Sequence, residues 1–241
     1  MFAYRDNILD WHDPVPMQIN GLPLSGVNVS PGFMQYTTPV SENPQFLALI
    51  PQPQGGLGLY ERIEHPPWNW IGPVGVLGAS LGGISAVTSA ELGDGSLCVI
   101  VRSGSHLFEI THHSKGLPGG AGSGWSTPAE VRTSRGAITV SGGQQLVATT
   151  VSALGSTGML MAVPVPGGAA LLATTKLGGS WDFEKLPIRS EVDALTVLTG
   201  SVNGRANIDV TYRDGNRLLQ IWRWTNGPWS GPTQVQWGRL A

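Results

Sequence analysis

Short apolar runs recur along the chain, each bounded by Gly, Pro or polar clusters. Phe46–Ile50, Leu97–Val101, Met159–Val163 and Ile208–Tyr212 each lead through a turn into a second run, Leu59–Ile63, Leu107–Thr111, Leu171–Thr175 or Leu219–Arg223. A third run follows in each case (Val74–Leu77, Ala129–Arg132, Lys185–Ile188, Thr233–Trp237), and a fourth candidate precedes each set (Val27–Val29, Ile84–Thr88, Ala137–Ser141, Ala194–Thr199). Runs of this length between turn residues predict strands, since they are too short to form a helix that buries one face.

Tryptophan sets the period. Trp68, Trp125, Trp181 and Trp229 each precede the third run, at intervals of 57, 56 and 48 residues. Four strands per unit at a period near 50 is the pattern of propeller blades. The N-terminus carries a partial unit, because Phe2–Asn7 echoes Val210–Asn216 and Trp11 with Pro14–Met17 stands where a Trp and last strand belong. The predicted fold is all-β, a single β-propeller domain over 1–241 with about five four-stranded blades at roughly 1–19, 24–77, 84–134, 137–190 and 193–237. The incomplete N-terminal blade is expected to be closed by the C-terminal tail Trp237–Ala241 or by a strand from a partner chain, which would give a homodimer.

Composition agrees with strands. The 241 residues include 34 Gly, 18 Pro and 9 Trp, and only 12% are charged; surface helices are normally filled with Glu, Lys, Arg and Ala and tolerate Gly poorly. A net charge of −2 offers no basic surface to a phosphate backbone, so nucleic acid is excluded as an expected partner. No stretch of 18 residues escapes charge, Gly or Pro, so no membrane-spanning helix is expected. Cys98 is the only cysteine, which rules out an intrachain disulfide. Met1–Pro14 contains no apolar leader core, so the cytoplasm is the expected compartment unless a leader has been removed. Asn28-Val29-Ser30 is a glycosylation acceptor triplet.

Motifs for conventional catalysis are weak. Gly78-Ala79-Ser80-Leu81-Gly82 has the form of a nucleophile elbow, but the last histidine is His113. An acid and a base would both have to fall within 33 residues of Ser80, in a chain without helical periodicity. Gly120–Gly124 lacks a strand-to-helix context and a lysine, and His65, His106 and the adjacent pair His112-His113 have no metal-site spacing. No metal and no cofactor are expected. Candidate polar chemistry rests on Glu61 and Glu109, which hold matched places in their second runs, with Gln220 and Asp10 in similar places. Trp222 and Trp224, two apart in a strand, share one face, and Trp229 follows at the turn.

Laid out as a blade, Ile208–Trp229 resembles the blades of fungal and bacterial fucose-specific lectins. The likeness is looser in the other units and partial at the N-terminus. In that family an Arg on one strand, a Glu on the next and an aromatic near the Trp-Gly turn clamp fucose between neighbouring blades. In the place of the Arg this chain has Leu47, Cys98, Leu160 and Asp209; in the place of the Glu it has Glu61, Glu109, Ala173 and Gln220. Loss of the guanidinium leaves sugar hydroxyls unpaired, and Leu or Cys in its place predicts apolar pockets.

The leading expectation is therefore a lectin-like propeller that binds a hydrophobic small molecule. If it is an enzyme, it would be a cofactor-free cyclase or cycloaddition catalyst of the Diels–Alderase type, of fungal secondary metabolism, with Glu61 and Glu109 as the polar catalytic groups. The alternative is a fucose- or glycan-binding lectin with degenerate sites, using Asp209, Gln220, Trp222, Trp224 and Trp229.

Overall fold

The computed structural model describes residues 17–19, 22–23, 32–38, 41–63, 70–92, 95–112, 123–141, 147–151, 158–175, 177–192, 194–202 and 205–235. A short pair, β1 (Gln18–Ile19) and β2 (Leu22–Pro23), comes first. Four antiparallel sheets of four strands follow. The first holds β3 (Gly32–Thr38), β4 (Ser41–Pro51), β5 (Leu57–Ile63) and β6 (Trp70–Leu77). The second holds β7 (Ile84–Glu91), β8 (Leu97–Ser103), β9 (His106–His112) and β10 (Ala129–Glu130), after which β11 (Arg132–Thr133) and β12 (Gly136–Ala137) pair with each other. The third holds β13 (Val147–Val151), β14 (Gly158–Val165), β15 (Gly168–Thr174) and β16 (Asp182–Lys185), and the fourth β17 (Ala194–Val202), β18 (Arg205–Asp214), β19 (Arg217–Trp224) and β20 (Ser230–Gln234).

Within each sheet the strands lie in sequence order. The first strands then pack in succession, β3 against β7, β7 against β13 and β13 against β17. Sheets stacked face to face through successive inner strands make a β-propeller. Each seam between sheets is a separate apolar core. Leu47, Leu49, Leu57 and Leu59 of the first sheet meet Val87, Leu97, Val99 and Val101 of the second. Cys98 and Ile100 meet Met159, Met161 and Leu172 in the next seam, and Leu160, Ala162 and Leu171 meet Val197, Ile208 and Val210 in the last. At about 1.5–3 kcal/mol for each large apolar side chain removed from water, these seams supply the main driving force for stacking.

The periodic tryptophans belong to this packing. Trp125 lies against the core between the first and second sheets, Trp181 is 1% exposed between the second and third, and Trp229 lies against the core between the third and fourth. Each indole thus packs onto the sheet of the preceding unit. Trp70 is buried with Ala48, Ile50 and Tyr60 on the other face of the first sheet, where Met17 and Ile19 cover it.

Two expectations about strands need correction. Ala137–Ser141 does not form the inner strand of the third sheet; Val147–Val151 does. The earlier segment is drawn out as a bridge, because Val140 N donates to Ser105 O (2.9 Å) and Ser141 N donates to Pro164 O (3.1 Å), on two different sheets. The inner strand of the first sheet is Gly32–Thr38, and Val27–Val29 lies outside the described residues. So do Trp11, Trp68, His113, the Asn28 triplet, Gly120–Gly122 and the closing tail Trp237–Ala241. Ser80 sits exposed in a turn closed by Leu81 N to Gly78 O (2.8 Å), and β7 follows at Ile84. A strand, not a helix, follows this turn, so the elbow context is absent.

Candidate functional site

In an antiparallel ladder, residues directly opposite each other share a face. Register in the fourth sheet sets Asn207 against Trp224, Asp209 against Trp222 and Thr211 against Gln220, with Leu198 opposite Asp209 on the inner side. The alternate set, Val197, Ile208, Val210, Tyr212, Leu219 and Ile221, is buried against the third sheet. One face of this sheet is therefore core. The other carries Asn207, Asp209, Gln220, Trp222 and Trp224, all partly exposed, beside Leu198 at 63% exposure.

The polar groups on that face are fixed in place. Gln220 Nε2 donates to Asp209 Oδ1 at 2.8 Å, and Asn207 Nδ2 donates to Asp209 Oδ2. Two amides hold the carboxylate plane without neutralising it. Trp222 and Trp224 meet edge to face, centroids 5.9 Å apart at 84°, and the Arg205 guanidinium lies 5.6 Å from the Trp224 ring centroid. The arrangement offers a charged bidentate acceptor, amide groups and two perpendicular apolar slabs within one surface.

Of the residues singled out from sequence, Asp209, Gln220, Trp222 and Trp224 come together here. Trp229 does not. Its Nε1 donates to Glu184 Oε1 (2.8 Å) on the core side, and Arg223 stacks 4.6 Å from its ring centroid while pairing with both Glu184 oxygens at 2.8 and 2.7 Å. This Arg–Glu–Trp group ties the fourth sheet to the third, and Glu184 and Arg223 were not among the sequence candidates. Arg223 stands between Trp222 and Trp224 in a strand, so it points to the opposite face from both, a parity visible in the sequence.

Glu61 and Glu109 stand in different seams. Glu61, opposite Leu47, is half-buried on the face of the first sheet that meets the second. Glu109 is 3% exposed and faces the third sheet, where Oε1 accepts from Gly178 N (2.5 Å) and Oε2 from Trp181 Nε1 (2.9 Å). Both oxygens of Glu109 are thus engaged by fixed donors of the next unit. The positions expected to line apolar pockets are closed by packing: Leu47 and Cys98 are 0% exposed and Leu160 is 3% exposed. Burial pushes the Cys98 thiol well up from its ordinary value, and the Glu109 carboxylate adds to the rise. Among the described residues no group of three or more His, Cys, Asp or Glu is placed to hold a metal ion.

No protein-family model and no curated protein sequence matches the chain. Solved structures do match it. A triple arginine-to-alanine mutant of AofleA from Arthrobotrys oligospora aligns at 14% identity over 86% of this chain and 71% of its own, with a TM-score of 0.42. The BP39L lectin from Burkholderia pseudomallei aligns at 17% identity over 94% of this chain, with a TM-score of 0.62. This chain spans 60% of the length of that lectin, and over that span the two share a fold, which in this chain is a β-propeller.

Proposed function

We propose that this protein binds carbohydrate through the open face of its fourth sheet. The observation that carries the reading is the Asp209 carboxylate, held by Asn207 and Gln220 beside the Trp222 and Trp224 indoles. A sugar presents vicinal hydroxyls on one edge and a C–H face on the other. A carboxylate accepts two such hydroxyls, the Gln220 amide supplies a further acceptor and donor, and an indole covers the C–H face. The lectin fold of the structural neighbour supports the same class of ligand. The apolar-ligand and cyclase reading loses its structural motive, because the positions that were to line its pockets are filled with core side chains.

The test is a glycan array followed by calorimetry on the best hit. Wild-type protein is expected to retain at least one neutral glycan. Asp209→Ala is expected to weaken binding tenfold or more, since charge-assisted hydrogen bonds contribute about 1.5–3 kcal/mol each. Trp222→Ala should weaken it roughly threefold to tenfold, the range of about 0.5–1.5 kcal/mol for a ring contact. An array with no hit, or a hit whose affinity both substitutions leave unchanged, overturns the reading.

A further inference from the structure

A concavity lies in the seam between the second and third sheets, away from the open face of the fourth. It is a groove of about 310 Å³ between Arg135, Ile138 and Thr139 on one wall and Val165, Phe183 and Lys185 on the other. That volume falls at the lower end of the ~300–1,000 Å³ typical of small-molecule sites. Its walls are tied to each other. Trp181 N donates to Arg132 O (2.9 Å) and Ser141 N to Pro164 O (3.1 Å), so the β11–β12 turn is fastened to the third sheet on both sides of the groove. Within the turn, Arg135 N donates to Thr133 Oγ1 (3.1 Å), which itself donates to Gly136 O (3.2 Å).

The groove carries two cations. Arg132 pairs with Glu130, Arg217 with Asp214 and Arg223 with Glu184. Arg135 and Lys185, both exposed, have no acidic partner among the described residues, and both line the groove. Two like charges facing one cavity repel, and an anion shared between them removes the repulsion. The fork of the guanidinium matches a carboxylate. The rest of the lining is mostly apolar, with Ile138 and Val165 buried and Phe183 half-buried. Thr133 has its hydroxyl committed to the turn, which leaves Thr139 and the two cations to meet a ligand's hydroxyls, too few for a ligand rich in them.

We propose that this groove binds a small organic carboxylate on an apolar body, of the aryl-alkanoate class. The inference does not rest on the carbohydrate reading, which concerns a different sheet. Calorimetry with 4-phenylbutyrate, its neutral counterpart 4-phenylbutanol, and glucuronate tests it on the full chain. Phenylbutyrate is expected to bind, with affinity falling as salt rises. Phenylbutanol and glucuronate are each expected to bind at least tenfold more weakly, one lacking the charge and the other the apolar body. The double substitution Arg135→Ala with Lys185→Ala should weaken phenylbutyrate about tenfold, whereas Asp209→Ala should leave it unchanged. Both cations are on the surface, so an unaltered unfolding midpoint will show that the double variant is folded. Absence of phenylbutyrate binding at millimolar concentration overturns the proposal. Equal binding of phenylbutanol, tighter binding of glucuronate, or indifference to the double substitution does the same.

Discussion

At the scale of single residues, Glu109 shows how a side chain fit for ligand chemistry is used for assembly. Its two oxygens join the backbone of Gly178 and the indole of Trp181, both from the next unit, and the side chain is buried. Glu109→Gln keeps the shape but turns an amide donor toward a fixed N–H donor. The expected loss is about 1–3 kcal/mol of stability. Trp181→Phe, which removes the other half of the indole bond, should show coupling with it of about 0.5–3 kcal/mol in a double-mutant cycle read by urea unfolding. The repeated acid at Glu61 and Glu109 was visible in the sequence, but the use of Glu109 was not. Its partners lie 69 and 72 residues further on, and only stacking of the sheets reveals which indole reaches which carboxylate.

At the scale of elements, the first and fourth sheets end in the same device. Trp70-Ile71-Gly72-Pro73 opens the outer strand of the first and Trp229-Ser230-Gly231-Pro232 leads into that of the fourth, and in both the ladder slips, by two residues between Leu59 and Glu61 and by one between Gln220 and Trp222. Gly72 has φ of +139° and Gly231 +98°, and a Cβ would lie 2.8 Å from Leu59 O or 2.7 Å from Gln220 O. Only glycine fits there. Gly231→Ala is expected to cost about 1–3 kcal/mol, measured by denaturant titration, and to weaken any ligand of Trp222 by disturbing the Ser230–Trp222 pairing beside it. Strand pairs around the Trp-marked turns were legible because their apolar runs are short and regularly spaced. The inner strand of the third sheet was not, since Ala137–Ser141 and Val147–Val151 are comparable short runs, and hydrogen bonds to two different sheets decide against the first.

At the scale of the molecule, all three seams are built mainly from apolar side chains, and the fourth sheet offers a core on one face and a polar, aromatic surface on the other. The candidate sugar face lies on that open side, and four of its residues could be chosen from the sequence because their strand parity and chemistry agree. Trp229 was misplaced there for want of the turn that carries it to the Glu184 side. β14 is buried along its whole length: all eight of its residues are buried, with Met159, Met161 and Val163 in one seam and Leu160 and Ala162 in the next. Both faces of such a strand are wetted only when two seams have opened. In native-state hydrogen exchange its amides should therefore exchange at the rate set by global unfolding, while those of β20, exposed along most of its length, exchange far sooner. The order in which deuterium enters will then trace the propeller coming apart from its last blade inward, with β14 as the place where water arrives last.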